Sequence, residues 1–208
     1  MKKFATVALT LAMAATAACA SATTVGICQL VQHEALDAAT QGFKDALTEK
    51  MPDVKFDEQN AAGDAATCVT ITSKFAADGV DLILANATSP LQAAVSATGD
   101  IPILGTSITD YATALGMKEW DGTTGINVSG TSDLAPLDGQ AAMIQELFPD
   151  AKNIGLVYCS AEANSVYQVT TIKGYLEEMG YTCTEFAFTD SNDVASVTQT
   201  AADASDVI

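Results

Sequence analysis

The 208 residues carry 26 Asp and Glu against nine Lys and no Arg, a formal net charge of −17, with 49% hydrophobic side chains. That is enough chain for one large domain or one and a half small ones, and enough apolar surface for a core. Clustered cationic side chains, which phosphate backbones require, are missing, so nucleic acid is excluded as a partner.

The acidity reads as a soluble, self-repelling surface. The lack of Arg also restricts how a carboxylate ligand is held: with no guanidinium fork, backbone N–H groups and hydroxyls must do it. Met1-Lys2-Lys3 is a basic start, Phe4 to Ala18 an apolar small-residue run, and Ala18-Cys19-Ala20 or Ala20-Ser21-Ala22 an A-x-A cleavage site. Residues 1–22 therefore read as a signal peptide, too short to span a bilayer. Cys19 is the alternative point of lipid attachment, but the usual Leu three residues before it is absent. Either reading places the protein outside the cytoplasm, in the periplasm or at the cell surface.

Thr24 to Val31 predicts a first strand. After Gln32-His33-Glu34, residues Ala35 to Lys50 place Leu36, Ala39, Phe43 and Leu47 on one helical face, and Pro52 ends the run. Val54 to Gln59 is a second strand. Asn60 to Asp64 is a turn whose Asp64 can cap a helix over Ala65–Ala77, closed by Gly79. Asp81 to Ala87 is a short, almost wholly apolar run, suited to a strand covered on both faces. Ser89 is then a natural N-cap and Pro90 a natural first helical residue. A strand leading directly into a capped helix leaves N–H groups at the positive end of a helix dipole, a place for an anion such as a carboxylate. The alternative is a capped helix with only water at its end.

Ile101 to Gly105 predicts a fourth strand, Thr106 to Thr123 an irregular stretch, and Gly125 to Gly130 a further strand. Leu137–Leu147 is a helix stopped by Pro149. The pattern then restarts: strand Asn153–Tyr158, helix Asn164–Met179 closed by Gly180, strand Tyr181–Phe188, helix Val194–Ala204, and Val207-Ile208 entering another strand. Alternating strands and helices imply an α/β fold with parallel sheets, and the restart implies duplication. The expected division is 23–131 for an N-terminal ligand-binding lobe and 132–208 for a C-terminal lobe that is incomplete, as in a truncated product. Phe43, Phe75, Leu82, Ile83, Leu84, Val128, Leu156 and Val157 are the expected core.

Four cysteines follow the export segment: Cys28, Cys68, Cys159 and Cys183. Outside the cytosol an even count is compatible with two disulfides; pairing Cys28 with Cys68 and Cys159 with Cys183 keeps each local. Cys159 near the end of one strand and Cys183 near the start of the next fit poorly, and four free thiols are the alternative. No metal-ligand spacing occurs and His33 is the only histidine, so no metal or cofactor is implied.

QLVQHEALDAATQGFKDAL (29–47), QNAAGD (59–64), FAADGVDLILANATSPLQAA (75–94), TSITDY (106–111) and YCSAEANSVYQV (158–169) together resemble one family. It is the ABC-transporter substrate-binding proteins of the tryptophan and aromatic-amino-acid importer type, and the likeness runs over 24–208 in one order. The resemblance implies two Rossmann-like lobes of the periplasmic-binding-protein type I kind, with a small ligand closed between them and delivered to an ABC permease. The matching site positions are Gln32, His33 and Leu36; Asn60 and Asp64; Thr88, Ser89 and Pro90; Thr109 and Asp110; and Ser160, Glu162, Asn164 and Ser165. Glu34 and Tyr111 stand where the family often has Pro.

On this reading Ser89 and the N–H groups of Leu91 and Gln92 hold a ligand carboxylate, and Asp110 and Glu162 face its ammonium. His33 stacks on an aromatic side chain or lies exposed. Asn164 caps its helix, leaving Ser165 to donate an N–H to the ligand. Trp120 covers an edge. No nucleophile elbow, P-loop, H-E-x-x-H or glycine fingerprint is present, which argues against catalysis. The competing role is a ligand-sensing receptor ectodomain of the same fold.

Overall fold

Each strand of the first half is followed by a helix that must cross back over the sheet, so the strands pair in parallel. The computed structural model describes residues 22–208; the cleavage and lipid-attachment readings lie outside the described residues, Ala22 apart. β1 (Thr24–Gln29), α1 (Glu34–Lys50), β2 (Lys55–Asn60), α2 (Ala65–Asp78), β3 (Leu82–Asn86), α3 (Thr88–Ala97), β4 (Ile103–Ile108), α4 (Tyr111–Ala114) and β5 (Val128–Ser132) form the first lobe. Its five strands run in the order β2-β1-β3-β4-β5, all parallel.

Alternate residues of the central strands serve opposite faces, as the two-residue period of a strand demands. Val25, Ile27 and Leu84 pack with Phe43 and Leu47 of α1. Cys28, Ile83, Ala85 and Ile103 pack with Cys68 and Phe75 of α2 and Leu91 of α3. Of the expected core, Phe75, Ile83, Leu84, Val128 and Leu156 are buried, whereas Phe43, Leu82 and Val157 are half-buried.

The second lobe holds α5 (Leu137–Leu147), β6 (Asn153–Cys159), α6 (Ala163–Glu178), β7 (Thr182–Phe188) and α7 (Val194–Ala204). β6 and β7 are parallel, and Val207 bridges Ile154 on the other edge of β6. The order β7-β6-Val207 repeats β2-β1-β3, so the duplication expected from the sequence is a duplication of topology.

Two expectations are corrected. β4 runs on to Ile108 instead of ending at Gly105, because Ser107 takes a left-handed φ of 57° and a register shift against β5 absorbs it. A Cys159–Cys183 disulfide is ruled out by register: Cys183 pairs with Ile154 and Cys159 with Phe188. Five residues of strand separate them, roughly 17 Å at the usual rise, far beyond the Cα separation of about 4.4–6.8 Å that a disulfide bridges. The four cysteines among the described residues are free thiols; Cys28 and Cys68 are both buried in one cluster. Cys68 beside it and burial push the Cys28 thiol up, while the contact with Cys28 lowers that of Cys68.

One carboxylate adds to the backbone bonds, Gly155 N–H to Val207 O and Asp206 N–H to Asn153 O, both 2.8 Å, that hold the bridge at Val207. Asp206 accepts from the N–H groups of Asn153 (2.8 Å) and Lys152 (2.9 Å), which hold its carboxyl below the usual range. A carboxyl depressed in the folded state stabilises above its unfolded pKa and loses that contribution as pH falls through the folded value. Asp206→Ala is therefore expected to melt lower than the wild type at pH 7, with the gap shrinking as pH drops below about 4. A gap that stays constant down to pH 3 would contradict this role.

Candidate functional site

Parallel strands deliver all their carboxyl ends to one edge, and the loops there carry α1, α3 and α4 by their N-termini. α3 begins earlier than the Ser-Pro pair suggests. Its N-cap is Ala87, at φ 103° and ψ 168°, with no side-chain cap. Ala87 N–H is bonded to Thr106 O of β4 at 3.1 Å, which fixes this strained corner. Thr88 and Ser89 thus occupy the first two helical positions, where N–H groups lack an intrahelical partner. Pro90 stands third, still within the turn that tolerates it. Leu91 N–H bonds Ala87 O at 3.2 Å, so the N–H assigned above to a carboxylate is taken by the helix itself.

Freed from capping, the Ser89 hydroxyl reaches the other lobe. It donates to Glu162, 3.2 Å from Oε2 and 3.5 Å from Oε1, across 73 residues of sequence. Glu162 is the N-cap residue of α6 but its carboxylate makes no cap bond there. This corrects the expectation that Asn164 caps α6. Ser165 N–H is likewise used, bonded to Glu162 O at 3.0 Å. Asn164 lies inside the first turn with Oδ1 buried and without a partner. α4 packs on α6, and between them Thr113, Ala163, Val166, Tyr167, Thr170 and Thr171 line an apolar groove of about 460 Å³.

The remaining predicted positions divide. His33 is the N-cap of α1, its Nδ1 accepting from Ala35 N–H at 3.2 Å, and it is exposed. Leu36 is half-buried, with its carbonyl accepting from Asn86 Nδ2 at 2.8 Å. Gln32 and Asn60 line an acidic hollow of about 360 Å³ with Gln29, Asp37, Glu58 and Gln59. Asn60 Oδ1 also accepts from Ala62 N–H, and Asp64 caps α2 through Ala66 N–H and the Thr67 hydroxyl, which hold its carboxyl below the usual range. Asp110 caps α4, its Oδ1 accepting from Thr113 N–H at 2.7 Å. Thr109 is buried, with its carbonyl accepting from the Ser132 hydroxyl. The Ser160 hydroxyl donates to Phe188 O at 3.2 Å.

Tyr111 is buried and donates to Gly105 O at 3.0 Å; burial and then the charge of Asp133 raise its pKa to about 12. Trp120 is 45% exposed and lines a hollow of about 320 Å³ with Tyr111 and Val128.

Three residues that the sequence reading did not single out also converge here. Gln29, Thr40 and Asn86 are buried and hydrogen-bonded to one another where β1 and β3 end under α1. Their signal was available: Gln29 and Asn86 are the last residues of two otherwise apolar strands, both on the α1 side.

Two parallel α/β lobes meeting at their loop edges, with helix N-termini facing each other, are the architecture of a two-lobed binding protein. Residues 24–208 match the model of the family described as ABC transporter substrate binding protein, and the chain belongs to that family. A tyrosine-binding protein of Clostridioides difficile is 41% identical over 174 residues, covering 82% of this chain and 50% of that protein. The chain thus spans about half the length of that curated relative.

The crystal structure of an ABC domain from Streptococcus pneumonia in complex with L-Trp superposes with a TM-score of 0.84 at 35% identity, covering 90% of this chain and 65% of that one. A ligand-free, open substrate-binding protein with adhesive properties from Clostridium difficile gives a TM-score of 0.60 at 40% identity, covering 86% and 61%. The lower score accompanies the higher identity, so the arrangement described here is nearer that of the L-Trp complex than that of the open structure. These likenesses carry the type I periplasmic-binding-protein fold. No helix among the described residues is long and apolar enough to cross a membrane.

Proposed function

We propose that the protein is the extracytoplasmic substrate-binding component of an ABC importer, without enzymatic activity. It encloses an L-aromatic amino acid between its lobes and delivers it to a membrane permease. The observation that carries this reading is the pairing of Ser89 with Glu162 across the lobes. A hydroxyl beside free helix N–H groups suits a carboxylate, and a carboxylate that caps nothing suits an ammonium. A zwitterion placed between them satisfies both: its carboxylate takes Ser89 and the N–H groups of Thr88 and Ser89, while its ammonium takes Glu162 and the remaining oxygen of Asp110. Asn164 Oδ1 is a further acceptor on the same side. An apolar side chain would be flanked by His33, Leu36 and the apolar wall of α6. The tyrosine-binding relative and the L-Trp complex support the aromatic class.

A thermal-shift screen of the purified protein against all twenty amino acids tests this. At a hundredfold excess over Kd, binding adds about 2.7 kcal/mol, which for a chain of this size is a rise of roughly 5–10 °C. Tryptophan, tyrosine or phenylalanine is expected to give it. If all three leave the melting point unmoved while a sugar or nucleoside raises it, the amino-acid reading falls.

A further inference from the structure

The Gln29–Thr40–Asn86 cluster is polar in the one part of the α1 face where β1 and β3 would otherwise continue apolar. The Thr40 hydroxyl donates to Gln29 Oε1 at 2.7 Å and accepts from Asn86 Nδ2 at 2.9 Å. Asn86 gives its other amide N–H to Leu36 O at 2.8 Å. Gln29 Nε2 donates to Asp37 Oδ1 at 2.6 Å and to Val31 O at 3.0 Å. Apart from a long 3.5 Å contact of Asn86 Nδ2 with Gln29 Oε1 between the two strand ends, each bond runs from a strand end to the first two turns of α1 or to the loop that leads into it. Asn86 is fully buried, yet its Oδ1 has no partner. A buried acceptor left unpaired is costly, and an apolar residue would avoid that cost. Placement of α1 is what the amide provides and Leu would not.

The backbone of Asn86 has a second task. Its carbonyl accepts from Leu30 N–H at 3.2 Å, and the next residue is Ala87, whose left-handed corner opens α3. We infer that Asn86, with Thr40 and Gln29, is a positioning set that locks the N-terminus of α1 to that of α3. The β3–α3 corner and the Gln32–Leu36 segment are thereby held in fixed relation before any ligand arrives. No ligand contact is assigned to these three residues. The set acts through the groups it holds, as preorganisation requires. Its effect on affinity rests on the binding role proposed above; its effect on the free protein does not.

The test uses Asn86→Leu, close in size and shape, with Thr40→Val and Thr40→Ser as a second pair. Amide hydrogen exchange is followed in ligand-free protein at Asp37, Ala87 and Leu91, whose N–H groups bond His33 O, Thr106 O and Ala87 O. Asn86→Leu and Thr40→Val should speed exchange about tenfold at Asp37 together with Ala87 and Leu91. β2 should stay at wild-type rates, and Thr40→Ser should restore them throughout. Acceleration in α1 alone, or none at Ala87 and Leu91, overturns the inference. In the presence of L-tryptophan the two disruptive variants should dissociate the ligand about tenfold faster at a melting temperature within a few degrees of wild type. Unchanged dissociation overturns the link to binding. If the wild type binds no amino acid, the proposed function fails, and the exchange data alone still decide whether the two helix N-termini are coupled.

Discussion

Gly26→Ala is expected to lower the melting temperature by several degrees, and Phe75→Leu in the same chain to recover part of the loss. A Cβ at Gly26 would stand 2.6 Å from two ring atoms of Phe75 and 2.9 Å from a third. Phe75 is fully buried among Cys28, Cys68, Ile83 and Leu91, so the ring has no open direction in which to retreat. Overpacking of this kind costs about 1–3 kcal/mol. Gly26 does not have a positive φ, so Ala brings no backbone strain of its own. Stiffening of the unfolded chain opposes the loss by only about 0.4–1 kcal/mol. Leu at position 75 keeps Cγ and both Cδ atoms but lacks Cε1, Cε2 and Cζ, and the space these leave lets the side chain retreat from the new methyl, so a double-mutant cycle should show a coupling of about 1 kcal/mol or more. Strict additivity of the two substitutions would mean that the sheet yields instead of the ring, and that β1 is less firmly held than its packing implies.

Legibility of the fold from sequence followed how local the determining signal was. α5 and α7 fall on the expected residues, Leu137–Leu147 and Val194–Ala204, because Pro149 bounds the first and a polar Asn-Asp pair precedes the second. Asp64 and Gly79 bound α2 as expected, the first accepting from Ala66 N–H and the second left-handed at φ 65°. The start of α3 was displaced because Ser89-Pro90 is a general opening signal. The actual opening is set by Ala87, held against β4 by a bond to Thr106 that no local pattern reveals. Within Thr106–Thr123 the chain takes a positive φ at Ser107, Gly116 and Gly122, and at the first of these a serine gives no warning.

The candidate site was legible as a set of loops and illegible as a set of partners. Ser89 and Glu162 could each be named, but not their contact, which depends on how two lobes meet. Asn164 looked like a cap because its residue type favours that role; the chain enters α6 two residues sooner. Gln29 and Asn86 were passed over as strand residues, since a polar residue ending an apolar strand reads as the start of a loop until the helix above it is placed.

Glu162→Gln is expected to weaken binding of L-tryptophan by roughly thirtyfold or more while leaving the ligand-free melting temperature close to wild type. The amide keeps an oxygen that can accept from Ser89, now 3.2 Å from Oε2, so the interlobe contact survives. On the binding role proposed above, what the substitution removes is the charge opposite an ammonium enclosed away from water. Leaving a buried charge without its partner costs about 2–5 kcal/mol, and every 1.4 kcal/mol is a factor of about ten in affinity. The desamino acid, with the same ring and carboxylate and no ammonium, separates charge from shape. It should bind the wild type weakly and the variant no worse, because it asks nothing of Glu162 except that its own carboxylate reach Ser89. Ser89→Ala should weaken both compounds alike. Should Glu162→Gln bind tryptophan as tightly as the wild type, the ammonium lies elsewhere, and Asp110, whose capping bond uses only Oδ1, is the next acid to substitute.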